Sequence, residues 1–129
     1  MGSHPNAEVQ RALFDAVVRE DMSKVTELLA EDLVVHLPGN NAVSGTYKGR
    51  DEFFKLMQRI EEITGGLQRE LHDIVASDDH SVALIRLTVE RDGKRLTWGG
   101  ANVVHIRNGK IAELWFLADD FDAMNLAYS

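Results

Sequence analysis

The chain has no cysteine and only two prolines in 129 residues. Without cysteine there can be no disulfide framework and no thiolate metal site, a composition that suits a reducing cytoplasm. Basic residues are also scarce: 14 Lys and Arg stand against 21 Asp and Glu, a formal net charge of −7. Nucleic acid and anionic membrane surfaces are bound by fields of Lys and Arg, so this balance argues against both as partners and leaves a neutral or apolar small ligand open. No apolar run approaches the roughly 18 residues of a membrane-spanning helix. The chain carries no Gly-x-Gly-x-x-Gly, no P-loop and no Gly-x-Ser-x-Gly, so nucleotide binding and serine hydrolysis lack their signatures. No pair of histidines and no carboxylate cluster has metal-ligand spacing, so neither a metal nor another cofactor is expected. The opening Met-Gly-Ser-His has no signal-peptide character and reads as a tag remnant. Residues 1–6 are therefore set aside as remnant or disordered, and residues 7–129 are read as a single domain, large enough for one hydrophobic core.

What is present falls into two halves of different period. Val9, Leu13, Ala16 and Val17 form an apolar stripe that predicts a helix over residues 7–19. Asp21 can cap a second short helix containing Val25, Leu28 and Leu29, followed by a brief strand over residues 33–37 that Pro38 and Gly39 stop. After a loop, Asp51 is an N-cap candidate for a third helix carrying Phe53, Phe54, Leu56, Met57, Ile60 and Ile63, with Gly65 and Gly66 at its end. From Leu67 onward the pattern is β. Four strand-like runs are punctuated at Asp78-Asp79, Asp92-Gly93 and Asn108-Gly109, and the last two pairs are strong hairpin signals because a type I′ turn needs positive φ at both central residues. Gly99-Gly100 inside a strand predicts a bulge or sharp bend. Runs such as SVALIRLTV and ANVVHI are apolar at nearly every position, so both faces of the sheet need cover: one from the helices, the other most simply from a second copy of the chain.

That order of elements, with the blocks DLVVHLPG, GTYKGRDEFF, ELHDIVASDDHSVAL and VVHIRNGKIAELWFLADD, resembles the SnoaL-like branch of the nuclear transport factor 2-like superfamily over nearly the whole chain. The resemblance implies an α+β fold: a cone-shaped, curved antiparallel sheet, or half-barrel, wrapped around the N-terminal helices and enclosing an apolar pocket, with a convex side that usually forms a homodimer. It does not imply one activity, because the superfamily spans isomerases, cyclases, dehydratases, epoxide hydrolase-like enzymes and members without chemistry. The steroid isomerase base falls on Leu37 here, and its oxyanion donors fall on Leu13 and Ala101. The epoxide hydrolase-like Asp-Arg-Asp set falls on Ile85, Leu87 and Phe116. Both residue sets are absent.

SnoaL-like cyclases take an Asp from the strand that here ends in Asp119-Asp120. Strand alternation puts Leu114, Phe116, Ala118 and Asp120 on one face, so Asp120 is the candidate acid/base, displaced toward the rim; its competing reading is a cap for the C-terminal segment. His36, His72 and His105 each lie in an apolar β-run where burial can tune an imidazole, and they are the candidate assistants. His105 shares parity with Ala101 and Val103, which points it inward, while His36 shares parity with Val34 and faces away from Leu37. Ligand contacts are expected from Leu37, Tyr47, Phe54, Ala101, Val103, Leu114 and Phe116. Two functions remain open at this point: cofactor-independent acid/base chemistry such as cyclisation, isomerisation or dehydration on a hydrophobic substrate, or a non-catalytic ligand-binding or dimerisation module of the same fold.

Overall fold

The computed structural model describes residues 4–129. In chain order the elements are α1 (Pro5–Val18), α2 (Met22–Leu28), β1 (Leu29–Leu37), β2 (Gly45–Lys48), α3 (Gly49–Thr64), β3 (Gln68–Ala76), β4 (His80–Arg91), β5 (Lys94–Arg107), β6 (Lys110–Ala118) and α4 (Phe121–Ala127). The six strands form one sheet in the order β2-β1-β6-β5-β4-β3, curved and unclosed, with α1 and α3 packed on its concave side. This is the α+β cone expected from the sequence. One pairing departs from a wholly antiparallel sheet: β1 runs parallel to β6, with Val35 beside Leu114.

Each helix forms where an apolar stripe can be buried. α1 buries Ala7, Gln10, Leu13 and Ala16, one residue per turn. It begins at Pro5, whose fixed φ suits the first helical position, and the His4 ring accepts the Asn6 amide at 3.1 Å as its cap. The Asn6 side chain then donates to the Ser77 and Asp78 carbonyls, each at 2.9 Å. Residues 4–6, set aside on sequence, thus belong to the fold; residues 1–3 lie outside the described part. α3 buries Phe53, Leu56, Ile60 and Thr64 along one side, and each large apolar side chain so buried contributes roughly 1.5–3 kcal/mol. Asp51 does not cap α3. The helix starts two residues earlier, and Glu52 accepts the Lys48 amide at 2.9 Å instead. At the other end Gly65, at φ 70°, closes it in the left-handed conformation expected.

The two hairpin turns follow their chemistry. Asp92 and Gly93 have φ of 52° and 76°, and Asn108 and Gly109 have 54° and 74°. Where the sequence predicts only loop, β2 is a short, largely exposed edge strand paired with β1, with no apolar alternation to mark it. The glycine pair in β5 does not mark a bulge. The register irregularities lie elsewhere, between Leu29 and Val34, between Leu71 and Asp73 and between His105 and Ile106. Gly100 instead permits close approach: a Cβ there would sit 2.0 Å from the Leu117 carbonyl oxygen. Trp98 is 1% exposed and meets Tyr128 edge-to-face at 5.5 Å.

Candidate functional site

Strand alternation and register together decide which side chains face the helices. On β4 and β5, Ala83 lies beside Asn102 and Leu87 beside Trp98. On β5 and β6, Val104 lies beside Leu114 and Asn102 beside Phe116. These positions, with Val35 and Leu37 of β1, meet Leu13 and Phe14 of α1 and Phe53 and Met57 of α3 around a cavity of about 130 Å³. Val17, Phe53, Met57 and Arg69 also border a wider groove of about 870 Å³ between α2 and α3, which opens to solvent.

Four polar side chains reach the cavity: Gln10, Asn102, Arg69 and Tyr128. Gln10 is engaged at both its nitrogen and its oxygen. Its amide nitrogen donates to the Asn102 carbonyl at 2.8 Å, and its oxygen accepts a short hydrogen bond from the buried Ser81 hydroxyl, tying α1 to β4 and β5. Arg69 donates to the Leu67 carbonyl at a long 3.4 Å. Among the described residues, neither the Tyr128 hydroxyl nor the Asn102 side-chain amide has a hydrogen-bond partner. Tyr128 is 3% exposed. Burial pushes its phenol up to about 12, a rise that the nearby Arg69 charge opposes. Burial likewise pushes Arg69 down, while Tyr128 and Glu61 hold it up. At neutral pH the phenol therefore stays protonated and acts as a hydrogen-bond donor rather than a base. Among the described lining residues there is no carboxylate and no imidazole.

Of the ligand contacts expected from sequence, Leu37, Leu114 and Phe116 line the cavity. Ala101, Val103 and His105 do not. Asn102 pairs with inward Ala83 and Phe116, so its neighbours on either side, and His105 with them, project from the convex face. There the His105 ring lies 5.0 Å from that of His80. His36 also faces outward, as its parity with Val34 implies. Its Nε2 is 2.6 Å from a Glu113 carboxylate oxygen, and its ring stacks on Trp115. His72 occupies the β3 irregularity, exposed in an outer depression of about 610 Å³ that Gly100 and Leu117 also line. The Tyr47 hydroxyl turns back on its own loop and donates to the Val43 carbonyl at 2.6 Å. Phe54 borders the outer groove rather than the inner cavity.

Asp120 is exposed and caps α4, accepting the Ala123 amide at 3.0 Å. Its neighbour Asp119 accepts the Gly99 amide at 2.8 Å. The alternation that aligned Asp120 with Phe116 ends at Ala118, where the strand stops and the chain turns into the helix. Sequence reasoning missed Gln10, Arg69, Asn102 and Tyr128. Gln10 alone carried a signal, as a polar residue one turn before Leu13 on the buried stripe.

Residues 10–114 match the model of the SnoaL-like domain, and the chain belongs to that family. It is 32% identical to Bal32a, from a soil-derived mobile gene cassette, with 97% of each chain covered and a TM-score of 0.91. An NTF2-like protein from Burkholderia xenovorans LB400 has the same fold at 19% identity, with a TM-score of 0.83 over 100% of this chain and 99% of that one. An uncharacterised protein of Mycobacterium tuberculosis (strain ATCC 25618 / H37Rv) is 28% identical over 116 residues, 88% of each chain.

Proposed function

We propose that this SnoaL-like domain binds a small, largely apolar molecule in the cavity between α1, α3 and the concave sheet face, and that it does so without acid/base turnover. The observation carrying this reading is the lining itself: apolar walls and a few hydrogen-bond donors, with no group that exchanges a proton near neutral pH. Proton-transfer chemistry led by Asp120 with His36, His72 or His105 has less support, since none of the four borders the cavity. Size limits the ligand. A cavity of about 130 Å³ is well below the roughly 300–1,000 Å³ of drug-sized sites and close to the roughly 150 Å³ apolar void that takes benzene. One ring or a short chain fits; a polycyclic body requires Met57, which borders both spaces, to turn aside toward the outer groove. Toluene titrated by NMR should give saturable shifts confined to the cavity methyls, and Ala83→Leu, which fills the space, should abolish them. Toluene leaving the Leu13, Leu87 and Leu114 methyls unshifted would sink the proposal.

A homodimer through the convex face completes the reading. Leu84 and Leu117 are 41% and 55% exposed there, beside Val103 and Trp115, and an apolar sheet face of this kind is normally covered. Sedimentation equilibrium at micromolar concentration should give twice the mass of one chain, and a clean monomer would contradict it. The cytoplasm is the proposed compartment. Among the described residues no helix is long and apolar enough to cross a membrane.

A further inference from the structure

The polar atoms at one end of the cavity carry a sign. Arg69 of β3 lies beside Leu87 of β4, and Leu87 lies beside Trp98 of β5, against which Tyr128 packs. This places the Arg69 guanidinium and the Tyr128 hydroxyl at the same end. Asn102 is elsewhere: it pairs with Ala83, four residues along β4 from Leu87, a separation of roughly 13 Å along the strand. The Arg69–Tyr128 end is therefore rich in donors. Arg69 brings five N–H groups and Tyr128 one O–H, and among the described residues their engagement is the single 3.4 Å bond to Leu67. Glu61, the carboxylate whose charge acts on Arg69, is exposed on α3, borders the outer groove and does not line the cavity. Neither group is sealed from water, since Arg69 is only half-buried and also borders the open groove, so a complementary acceptor entering the cavity would replace water on donors that the protein leaves largely unused.

We infer that this end of the cavity is a carboxylate site, and that the ligand is a small aryl or alkyl acid with its apolar body among Leu13, Leu87 and Phe116 and its carboxylate on Arg69 and Tyr128. A carboxylate supplies up to four acceptor sites and the missing negative charge, and hydrogen bonds to it are about twice as strong as those to a neutral oxygen. The high Tyr128 pKa keeps the hydroxyl proton available for donation across the range in which carboxylic acids are ionised. This rests on the cavity binding described above and adds the charge and chemical class of the ligand.

Benzoate, benzamide and toluene separate the two claims, because all three share one ring and only the first is charged at pH 7. By calorimetry or NMR, benzoate should bind at least tenfold more tightly than benzamide, and the ratio should fall to within about twofold of one in Arg69→Gln while persisting in Arg69→Lys. Benzamide binding as tightly as benzoate, or a preference that survives Arg69→Gln, overturns the carboxylate site. If toluene binds and benzoate does not, the carboxylate site fails while the apolar cavity stands; if none of the three binds, both fail. The comparison in the unmodified protein needs no variant, so it decides the matter even if Arg69→Gln does not fold.

Discussion

Gly100→Ala is the most sharply defined perturbation of this fold. A Cβ at Gly100 would meet the Leu117 carbonyl oxygen at 2.0 Å and Leu117 C at 3.0 Å, where ordinary contact begins at 3.4 Å. Subtraction gives about 1.4 Å of movement, and it must come from backbone, which cannot swing away as a side-chain tip can. That backbone is held on both sides: Gly100 is paired with Ala118, the Gly99 amide donates to Asp119 at 2.8 Å, and the Asp119 amide donates back to Gly99 at 2.9 Å. Overpacking alone costs about 1–3 kcal/mol. Loss of the two hydrogen bonds adds roughly 0.5–1.5 kcal/mol each, so a total of roughly 2–6 kcal/mol is expected, centred near 4. Gly93→Ala is the control. Its Cβ would meet nothing within 4 Å, but its φ is +76°, so only the left-handed penalty of roughly 1–2 kcal/mol applies. Urea unfolding of both variants measures the difference, and at about 4 °C per kcal/mol for this chain length the melting temperatures should separate by several degrees. Because Phe116 immediately precedes the displaced segment and lines the cavity, toluene affinity should also drop in Gly100→Ala alone. A Gly100→Ala protein as stable as Gly93→Ala would refute the close-approach argument.

Two further expectations test single side chains. Asp120→Ala should lower stability by about 1 kcal/mol through loss of the α4 cap, while Asp120→Asn, also a good cap, should be nearly neutral and leave ligand binding intact; loss of binding in the Asn variant would restore Asp120 as a site residue. For Tyr128, the folded-state pKa of about 12 lies above the unfolded value near 10. Between the two, the folded chain holds a proton that the unfolded chain has released. Stability should therefore be intact below about pH 10 and fall as pH rises toward 12, by roughly 3 kcal/mol at most, and Tyr128→Phe should flatten this slope. An unchanged slope in Tyr128→Phe would show that the phenol is not shielded.

Much of the scaffold was legible because local chemistry dictated it. The φ-positive pairs at Asp92-Gly93 and Asn108-Gly109, the glycine end of α3 and the apolar stripes of α1 and α3 depend on neighbours a few residues away. The resemblance supplied the cone. What escaped was short or exposed: β2 carries no apolar alternation, and the α1 start depends on His4 and Asn6 reaching the loop after β3.

The site divides along the same line. Sequence alone fixed that Leu114 and Phe116 share a face, because alternation within one strand is intrinsic to the pleat. It could not fix which face of β5 is inward, since a register offset of one residue exchanges Asn102 and Val104 for Ala101, Val103 and His105. That choice was made by pairing with β4 and β6. Nor does any local pattern announce that Arg69 and Tyr128, 59 positions apart in the chain, end at the same end of one cavity. Strand pairing across β3, β4 and β5 and the packing of the C-terminal segment on Trp98 decide that, and they decide with it that the cavity holds donors while the histidines and Asp120 remain outside.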